Sequence, residues 1–278
     1  MTDSSMKSIL HPTDFSRGDD GAFAHAVRIA LAFRSELHLL HVGTLGEATD
    51  WADFPGVRDR LIRWGMLQPG AHHRELSTLG LHVRKAQKLS DDPAEAISRF
   101  VVLHDVDLMV LTTHQRQGFN RLLHPALAEA IARTAGTRTL FVPRRVPGFV
   151  DAATGAVALR QVLIPVDREP HPQRAIDVAA GLIRSLGSAQ GALTVLHVGA
   201  EGDLPQWTPP ELPGWSVESV SVAGEVVDTI LEVSDERDAD LIVMGTRGHH
   251  GFLDALRGST TERVLRGAKC PLLTVPAG

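Results

Sequence analysis

Short apolar runs alternate with amphipathic stretches along the whole chain. In the first half, continuous runs rich in Val, Ile and Leu occur at 8–14, 37–43, 106–112 and 136–143. Such runs are typical of strands buried on both faces of a parallel sheet. Between the first two runs, apolar residues recur at helical spacing over 21–35. Strands alternating with helices of this length predict a doubly wound α/β fold.

The second half of the chain repeats this pattern. Its apolar runs match those of the first half in the same order and lie at 162–167, 193–199, 239–245 and 268–276. In each half the first run ends in Pro-x-Asp, at Asp14 and at Asp167, and the second contains Leu-His-Val. Chance similarity does not preserve the order of four blocks, so the chain is predicted to contain two tandem domains.

We therefore predict domains at 1–145 and 158–278. Each is expected to be a five-stranded parallel sheet flanked by helices, in the flavodoxin-like strand order 3-2-1-4-5. The segment 144–159 contains one proline and two glycines, Pro147, Gly148 and Gly155, and is the predicted linker. The segments 44–79 and 200–214 differ between the halves and are candidate lids over a site.

Composition narrows the class of protein. The 278 residues are 43% hydrophobic and 22% charged, which is typical of globular proteins. The net charge of −5 argues against a nucleic-acid partner recruited by basicity. No apolar run approaches the ~20 residues needed to span a bilayer, and no signal core precedes the first strand. With one cysteine, Cys270, no disulfide framework can form within the chain. We expect a cytoplasmic protein without a membrane partner.

A glycine motif follows the fourth strand of the second half. The residues 245–248 read Gly-Thr-Arg-Gly, and nine residues later Gly258 and Ser259 open a helix. Glycines let the backbone approach a ligand closely, and a helix N-terminus favours a phosphate. Asp167 ends the first strand of this half and can accept hydrogen bonds from a ribose or a base. Val198 ends the second strand, where backbone groups can meet an adenine edge.

The motif Gly-x2-Gly-x9-Gly-Ser lies between Asp-Leu-Ile-Val-Met-Gly and Cys-Pro-Leu-Leu-Thr-Val-Pro, and this arrangement resembles the universal stress protein family. Both halves share the resemblance, which implies a tandem member. In ATP-binding members this motif holds the ribose and phosphates, commonly with Mg²⁺. The nucleotide site that the resemblance implies comprises Pro165, Val166, Asp167, Val198, Met244, Gly245, Arg247, Gly248, Gly258, Ser259 and Thr260.

The resemblance also implies a function. It predicts a stress-response protein that binds ATP in its C-terminal domain as a regulatory ligand. The last strands of this family commonly mediate dimers, so we expect a homodimer through sheet edges, and an unidentified protein partner. The two final strands of one chain can also mimic such a dimer by pairing with each other.

The first half departs from the glycine motif. When the two halves are aligned, the first half has Thr112 at the position of Gly245 and Gln115 at that of Gly248. It has Pro125 at the position of Gly258 and Ala126 at that of Ser259. Side chains are then expected where backbone should approach a ligand, and proline lacks an N–H donor. Asp14 and Val42 are retained. We predict that this half no longer binds a nucleotide tightly.

Two alternatives remain open: a slow ATPase, and a nucleotide-free scaffold. No catalytic residue is assigned, because no general base stands out near the phosphates, and hydrolysis should be weak at most.

Five histidines are candidate metal ligands: His11, His38, His41, His114 and His124. They lack the spacing of a ligand cluster, so no metal site is assigned. Cys270 is interpreted as a small buried hydrophobe.

Overall fold

The computed structural model describes residues 5–15, 20–44, 50–72, 74–113, 136–144, 146–247 and 260–277. Its strands are β1 Ser8–Pro12, β2 Glu36–Gly43, β3 His82–Leu89, β4 Leu108–Thr113, β5 Arg138–Pro143, β6 Gln161–Val166, β7 Gly191–Val198, β8 Trp215–Val222, β9 Leu241–Thr246 and β10 Leu272–Pro276. Its helices are α1 Asp20–Phe33, α2 Val57–Arg63, α3 Arg74–Thr78, α4 Pro93–Leu103, α5 Gln173–Leu186, α6 Val226–Glu236 and α7 Thr260–Gly267, with a 3₁₀ turn at Glu201–Asp203.

The ten strands form one sheet in the order β3-β2-β1-β4-β5-β10-β9-β6-β7-β8. Each half therefore has the predicted order 3-2-1-4-5, and pairing within each half is parallel. This confirms the predicted fold class. The strand order reverses between β1 and β4 in the first half, and between β6 and β9 in the second.

The two halves meet through their final strands. β5 and β10 pair antiparallel, with Phe141 opposite Leu272 and Thr139 opposite Thr274. Neither final strand is an edge of the ten-stranded sheet, because the backbone groups that each half leaves unpaired are satisfied by the other half. The alternative, that the halves of one chain imitate a dimer, describes the structure. The outer edges of the sheet are β3 and β8.

Helix boundaries follow the local signals in the sequence. Asp92 caps α4 by accepting a hydrogen bond from the backbone N–H of Glu95 at 2.9 Å, and Pro93 takes the first helical position. α5 ends at Gly187, whose φ of 71° lies in the left-handed region that favours glycine. The candidate lid that follows β2 contains the helix α2.

The sheet has a hydrophobic core on each face. On one face, which we call the α1/α5 face, α1 and α5 pack on the sheet in a single cluster that spans both halves, with Phe23 and Ile176 among its buried residues. On the other, the α4/α6 face, α4, α6 and α7 cover the sheet, with Phe100, Ile230 and Val264 buried there. Any ligand site at the strand ends must therefore lie on one of these two faces.

The segment predicted as a linker is a packed turn. Val150 and Val157 form an antiparallel bridge, and Phe149 is buried in the core of the α1/α5 face. His25, on α1, accepts a hydrogen bond at Nε2 from the backbone N–H of Val150 at 3.2 Å. The carbonyl of Ala152 accepts hydrogen bonds from two side chains of the α2 region, and these are Arg60 at 2.5 Å and Trp64 at 3.1 Å. The linker is therefore fixed to the first half.

Candidate functional site

A crevice opens in the second half where the strand order reverses. β6 and β9 pair only at Val162–Leu241 and Leu163–Ile242, although both strands continue beyond these pairs. They therefore diverge toward their carboxyl ends. Open α/β sheets bind ligands at this position, because divergence leaves backbone groups and side chains facing a shared space.

Three predicted site residues lie on one face of this crevice. Met244 and Val198 pack in the cluster of the α4/α6 face. Leu163 belongs to the same cluster, so strand alternation places Pro165 on this face too. Asp167 is exposed directly after β6, where its Oδ1 accepts a hydrogen bond from the backbone N–H of the next residue at 2.7 Å. Each of three strands therefore has a predicted site residue near its carboxyl end.

Val166 and Gly245 have different surroundings. The Val166 side chain packs against the core of the α1/α5 face, so only its backbone is available at the strand end. A Cβ at Gly245 would come within 2.9 Å of the Pro170 ring, which follows β6. Glycine is therefore needed at 245 to admit Pro170, a reason that the sequence analysis did not foresee.

The backbone of Val198 points toward β6. Its neighbour Gly199 donates its N–H to the carbonyl of Val222 on β8, at 2.9 Å. Successive residues of a strand direct their backbone groups to opposite sides, so those of Val198 face the other way. His197 lies beside the carbonyl of Val166, with Nδ1 at 3.4 Å. The end of β7 therefore directs backbone polar groups toward the end of β6.

Thr246 is a candidate that sequence reasoning missed. Strand alternation places it on the same face as Met244. The side chain is 9% exposed, and its Oγ1 is buried without a hydrogen-bond partner in the described part of the chain. A buried hydroxyl without a partner is uncommon in proteins and requires an explanation, such as a ligand. The signal was present in the sequence, since Thr246 lies two residues after Met244 on a strand.

The remaining motif residues lie at the mouth of this face. Thr260 is exposed and begins α7, whose Val264 and Leu265 pack on the α4/α6 face. Arg247 is exposed directly after β9. The predicted residues Gly248, Gly258 and Ser259 lie outside the described residues. The groups that are described fit a nucleotide: a carboxylate, a backbone edge, a buried hydroxyl and a guanidinium.

The two candidate lids pack largely on the α1/α5 face where the structure describes them. Gln173 at the start of α5 binds the backbone of Thr208 through two hydrogen bonds, of 2.7 and 3.1 Å. Earlier in the segment 200–214, Asp203 accepts a hydrogen bond at 2.7 Å from Arg168, which follows the site residue Asp167. In the first half, α2 packs on the α1/α5 face. The start of the segment 200–214 is therefore close to the end of β6, while its later part is held along α5.

Three histidines of the first half, His11, His25 and His38, are buried in its core. Burial lowers the pKa of His11 and of His25 to about 4, so both rings are neutral at pH 7. Burial also lowers the pKa of His38. Among the described residues no group of three or more His, Cys, Asp or Glu is arranged to hold a metal ion. His114 and His124 lie outside that part of the chain.

Cys270 is buried, and burial raises the pKa of its thiol to about 12. A thiol that stays protonated at neutral pH is a poor nucleophile. The interpretation of Cys270 as a buried hydrophobe agrees with this environment. In the described ranges no helix has the length and apolar character needed to cross a membrane.

The reversed strand order and the crevice beside it define an open α/β protein, a class whose ligands generally bind at the switch point. The model of the universal stress protein family matches residues 6–143 and 208–276. The chain belongs to the universal stress protein family.

Individual relatives support this placement. Universal stress protein Sll1654 of Synechocystis is 29% identical over 139 residues, which are 44% of this chain and 88% of that protein. Universal stress protein MJ0531 of Methanocaldococcus jannaschii is 40% identical over 62 residues, 22% of this chain and 36% of that one. The crystal structure of a universal stress protein from Archaeoglobus fulgidus matches all of both chains, with a TM-score of 0.63 and 18% identity. That structure supports the fold alone.

Proposed function

We propose that the second half of the chain binds an adenine nucleotide, ATP with Mg²⁺, at the crevice between β6 and β9. The proposal depends mainly on the buried Oγ1 of Thr246, which lacks a partner in the described chain and lies on the same face as Val198 and Met244. The glycine motif from Gly245 to Ser259 supports a phosphate ligand at the same strand end.

Each group has a distinct role in this proposal. The backbone of Val198 contacts the edge of the adenine, and Met244 packs against its ring. The carboxylate of Asp167 accepts hydrogen bonds from ribose hydroxyls, and Pro165 and Val166 shape the strand end. The phosphates lie near Arg247 and the N-terminus of α7, where unpaired N–H groups and the helix dipole favour anions.

The remaining motif residues complete the phosphate end of the proposed site. Gly248 and Gly258 let the backbone approach the phosphates, and Ser259 and Thr260 add hydroxyl donors. Mg²⁺ would neutralise phosphate charge when bound with ATP. No residue is assigned as a catalytic base, so ATP acts as a regulatory ligand whose binding changes the surface that a protein partner meets. A cytoplasmic role in the stress response is part of this proposal.

The proposed homodimer uses the outer sheet edges. β3 carries Arg84, Lys85 and Lys88, and charged edge strands disfavour pairing between copies. We therefore propose β8 as the contact. The carbonyl of Val222 faces β7, so the N–H of Ser219 faces outward by alternation. Ser219→Pro should convert a dimer to a monomer in sedimentation velocity, and a monomeric wild-type protein would contradict this part of the proposal.

The test of nucleotide binding starts from the purified full-length protein. Denaturation followed by mass spectrometry should release about one ATP or ADP per chain. Isothermal titration of the emptied protein with Mg-ATP should then show one site. Asp167→Ala should weaken binding at least tenfold, because a charge-assisted hydrogen bond is lost. The matched variant Asp14→Ala in the first half should leave ATP binding unchanged. No nucleotide in either assay would favour a nucleotide-free scaffold.

A further inference from the structure

The outer side of the edge strand β3 faces no other strand in the described chain. Its inner side pairs in parallel with β2 along all eight residues. At the two ends of this pairing, His82 donates its N–H to the carbonyl of Ser35 at 3.4 Å, and Ser90 donates to that of Gly43 at 3.1 Å. Successive residues of a strand direct their backbone groups to opposite sides. The even-numbered residues of β3 therefore face β2, and the odd-numbered residues face outward.

This outward row is a regular template for one more strand. It includes the N–H and carbonyl groups of Val83, Lys85 and Leu89. The register with β2 runs without interruption and β3 contains no proline, so no bulge or missing donor breaks the row. Extended segments of other proteins bind to sheet edges of this kind through backbone hydrogen bonds, and side chains decide which segment binds.

On the α4/α6 side, the edge is basic. Ala86 packs against the core of that face, so alternation places Arg84 and Lys88 on the same side. β3 has no acidic residue. Arg84 pairs with Glu36 on β2, whereas Lys88 is exposed and forms no ion pair within the described residues. A segment that adds to β3 therefore meets an uncompensated positive charge on this side.

On the α1/α5 side, the edge is apolar. Val83 packs against the core of that face, so alternation places Lys85 and Leu89 there, and Leu89 is 47% exposed. Trp51, which precedes α2, is 54% exposed and stacks on Phe54 with the ring centroids 5.4 Å apart. Lys85 donates to the carbonyl of Trp51 at 3.1 Å and lies over the ring of Phe54. These contacts hold an exposed indole beside the edge strand.

Lysines on an edge strand also keep copies of a protein apart, and that role alone would explain the charge. It does not explain the apolar side, because two of the five large apolar side chains exposed in the described chain are Trp51 and Leu89. The other outer edge differs. The one charged residue of β8, Glu218, pairs with Arg237, and Trp215 is buried. Of the two outer edges, β3 thus combines a basic side with an exposed apolar side.

We propose that β3 binds an extended segment of a protein partner in which acidic and apolar residues alternate. The segment pairs with the outward N–H and carbonyl groups of Lys85 and Leu89. Its carboxylates lie on the α4/α6 side near Lys88, and its apolar side chains lie on the α1/α5 side near Leu89 and Trp51. The inference rests on the proposed function in one respect, since it gives a surface and a chemistry to the protein partner named there.

A fluorescein-labelled peptide of about ten residues, with alternating valine and glutamate, is the probe, since its length covers an ordinary strand. Fluorescence anisotropy with the full-length protein measures its affinity with and without Mg-ATP. We expect one peptide per chain, bound more tightly at low salt. Lys88→Glu should weaken binding about tenfold, because an attraction across the strand pair becomes a repulsion. The matched variant Lys7→Glu changes an exposed lysine outside β3 and should leave binding unchanged.

The backbone pairing is tested by two variants of one residue. Leu89→Ala shortens the side chain and should weaken binding about threefold, whereas Leu89→Pro also removes the outward N–H and should weaken it at least tenfold. Proline is tolerated on an edge strand where its nitrogen faces outward, so both variants should unfold at the same urea concentration. A lower midpoint for Leu89→Pro would mean that this N–H faces β2, and equal binding by the two variants would mean that the backbone does not pair. Either result would overturn the inference.

Control ligands separate the remaining outcomes. A peptide of alternating valine and lysine that binds equally well would overturn the selection of acidic residues. A single strand of DNA that binds more tightly than the peptide would make β3 a general polyanion surface and would overturn the inference as well. ATP binding without uptake of the valine–glutamate peptide would overturn the inference and leave the nucleotide site intact. Peptide binding without ATP binding would instead overturn the proposed nucleotide site and leave the edge of β3 as the docking surface.

Discussion

The two halves build the same five-stranded sheet and differ in what surrounds its strand ends. Both have a crevice where strands one and four diverge. Only the second half carries the glycine motif, and only the first uses an inserted helix, α2, to hold the linker through Arg60. The comparison shows that a duplicated sheet preserves the position of a site while the segments beside it decide which ligand groups it can hold.

The halves also differ in the polar groups inside their cores. The described part of the first half buries His11, His25, His38 and His41, while the described part of the second half buries only His197. His25 uses both ring nitrogens, since Nδ1 donates to the carbonyl of Gly21 at 2.7 Å while Nε2 accepts from Val150. Only a neutral ring can do both, so the junction between the halves depends on the protonation state of the first half.

The largest expected effect is on ATP binding, and it concerns the glycine motif that only the second half carries. Gly258→Val should weaken ATP binding at least a thousandfold, because a side chain replaces the backbone approach to the phosphates and blocks the helix N-terminus. Calorimetry with Mg-ATP measures the change, and circular dichroism checks the fold. The matched variant Pro125→Val in the first half should leave ATP affinity unchanged. Unchanged affinity in Gly258→Val would refute the assignment of the motif.

The next largest effect is on the free energy of unfolding, and it concerns the packing of the linker on the first half. Phe149 is 1% exposed and packs edge-on against His25, with the ring centroids 4.5 Å apart. Phe149→Ala should lower the free energy of unfolding by about 3–4 kcal/mol, because it leaves a cavity in the shared core. Urea unfolding followed by tryptophan fluorescence measures this loss. Val102→Ala, at a position 73% exposed, is the control and should cost less than about 0.5 kcal/mol.

A smaller loss of stability is expected as the pH falls. The pKa of His11 and of His25 falls from 6.5 to about 4 on folding, so below pH 6.5 the unfolded chain binds protons that the native state does not. Stability is fully present above pH 6.5 and falls as the pH drops toward 4, by about 2 kcal/mol for each histidine at pH 5.

Hydrogen exchange followed by mass spectrometry at pH 7 and pH 5, corrected for intrinsic rates, locates this loss. β1 and β4 should lose more protection than β6 and β9, because both histidines lie in the first half. Equal loss in the two halves would show that the buried histidines do not set the difference.

The smallest effect compares a buried with an exposed arginine of the first half. Arg60 is 5% exposed, pairs with Asp20 and stacks over the rings of Phe23 and Trp64. Arg60→Met should cost about 2 kcal/mol, since the carbonyl of Ala152 loses a charge-assisted hydrogen bond. Arg99→Met removes an exposed helical ion pair and should cost less than about 0.5 kcal/mol. Equal costs in urea unfolding would mean that Arg60 does not hold the linker.

Much of the fold could be predicted from local patterns. Asp92 and Pro93 mark the start of α4 because capping depends on adjacent residues, and the bounds of α5 follow from its amphipathic period and Gly187. The shared face of Pro165 and Met244 required the register of two strands distant in sequence. The role of Gly245 could not be predicted, because its contact with Pro170 depends on how the loop after β6 folds back.

The sequence by itself determined the repeat, the parallel order within each half and the family, because strand periodicity, turn residues and the glycine motif are local properties of the chain. Tertiary structure alone decided that β5 and β10 join the halves and that the linker packs on α1 and α2. It also decided that the hydroxyls of Thr113 and Thr246 are buried without partners among the described residues. These features depend on contacts between residues far apart in the chain, whose geometry is fixed only when the two cores pack.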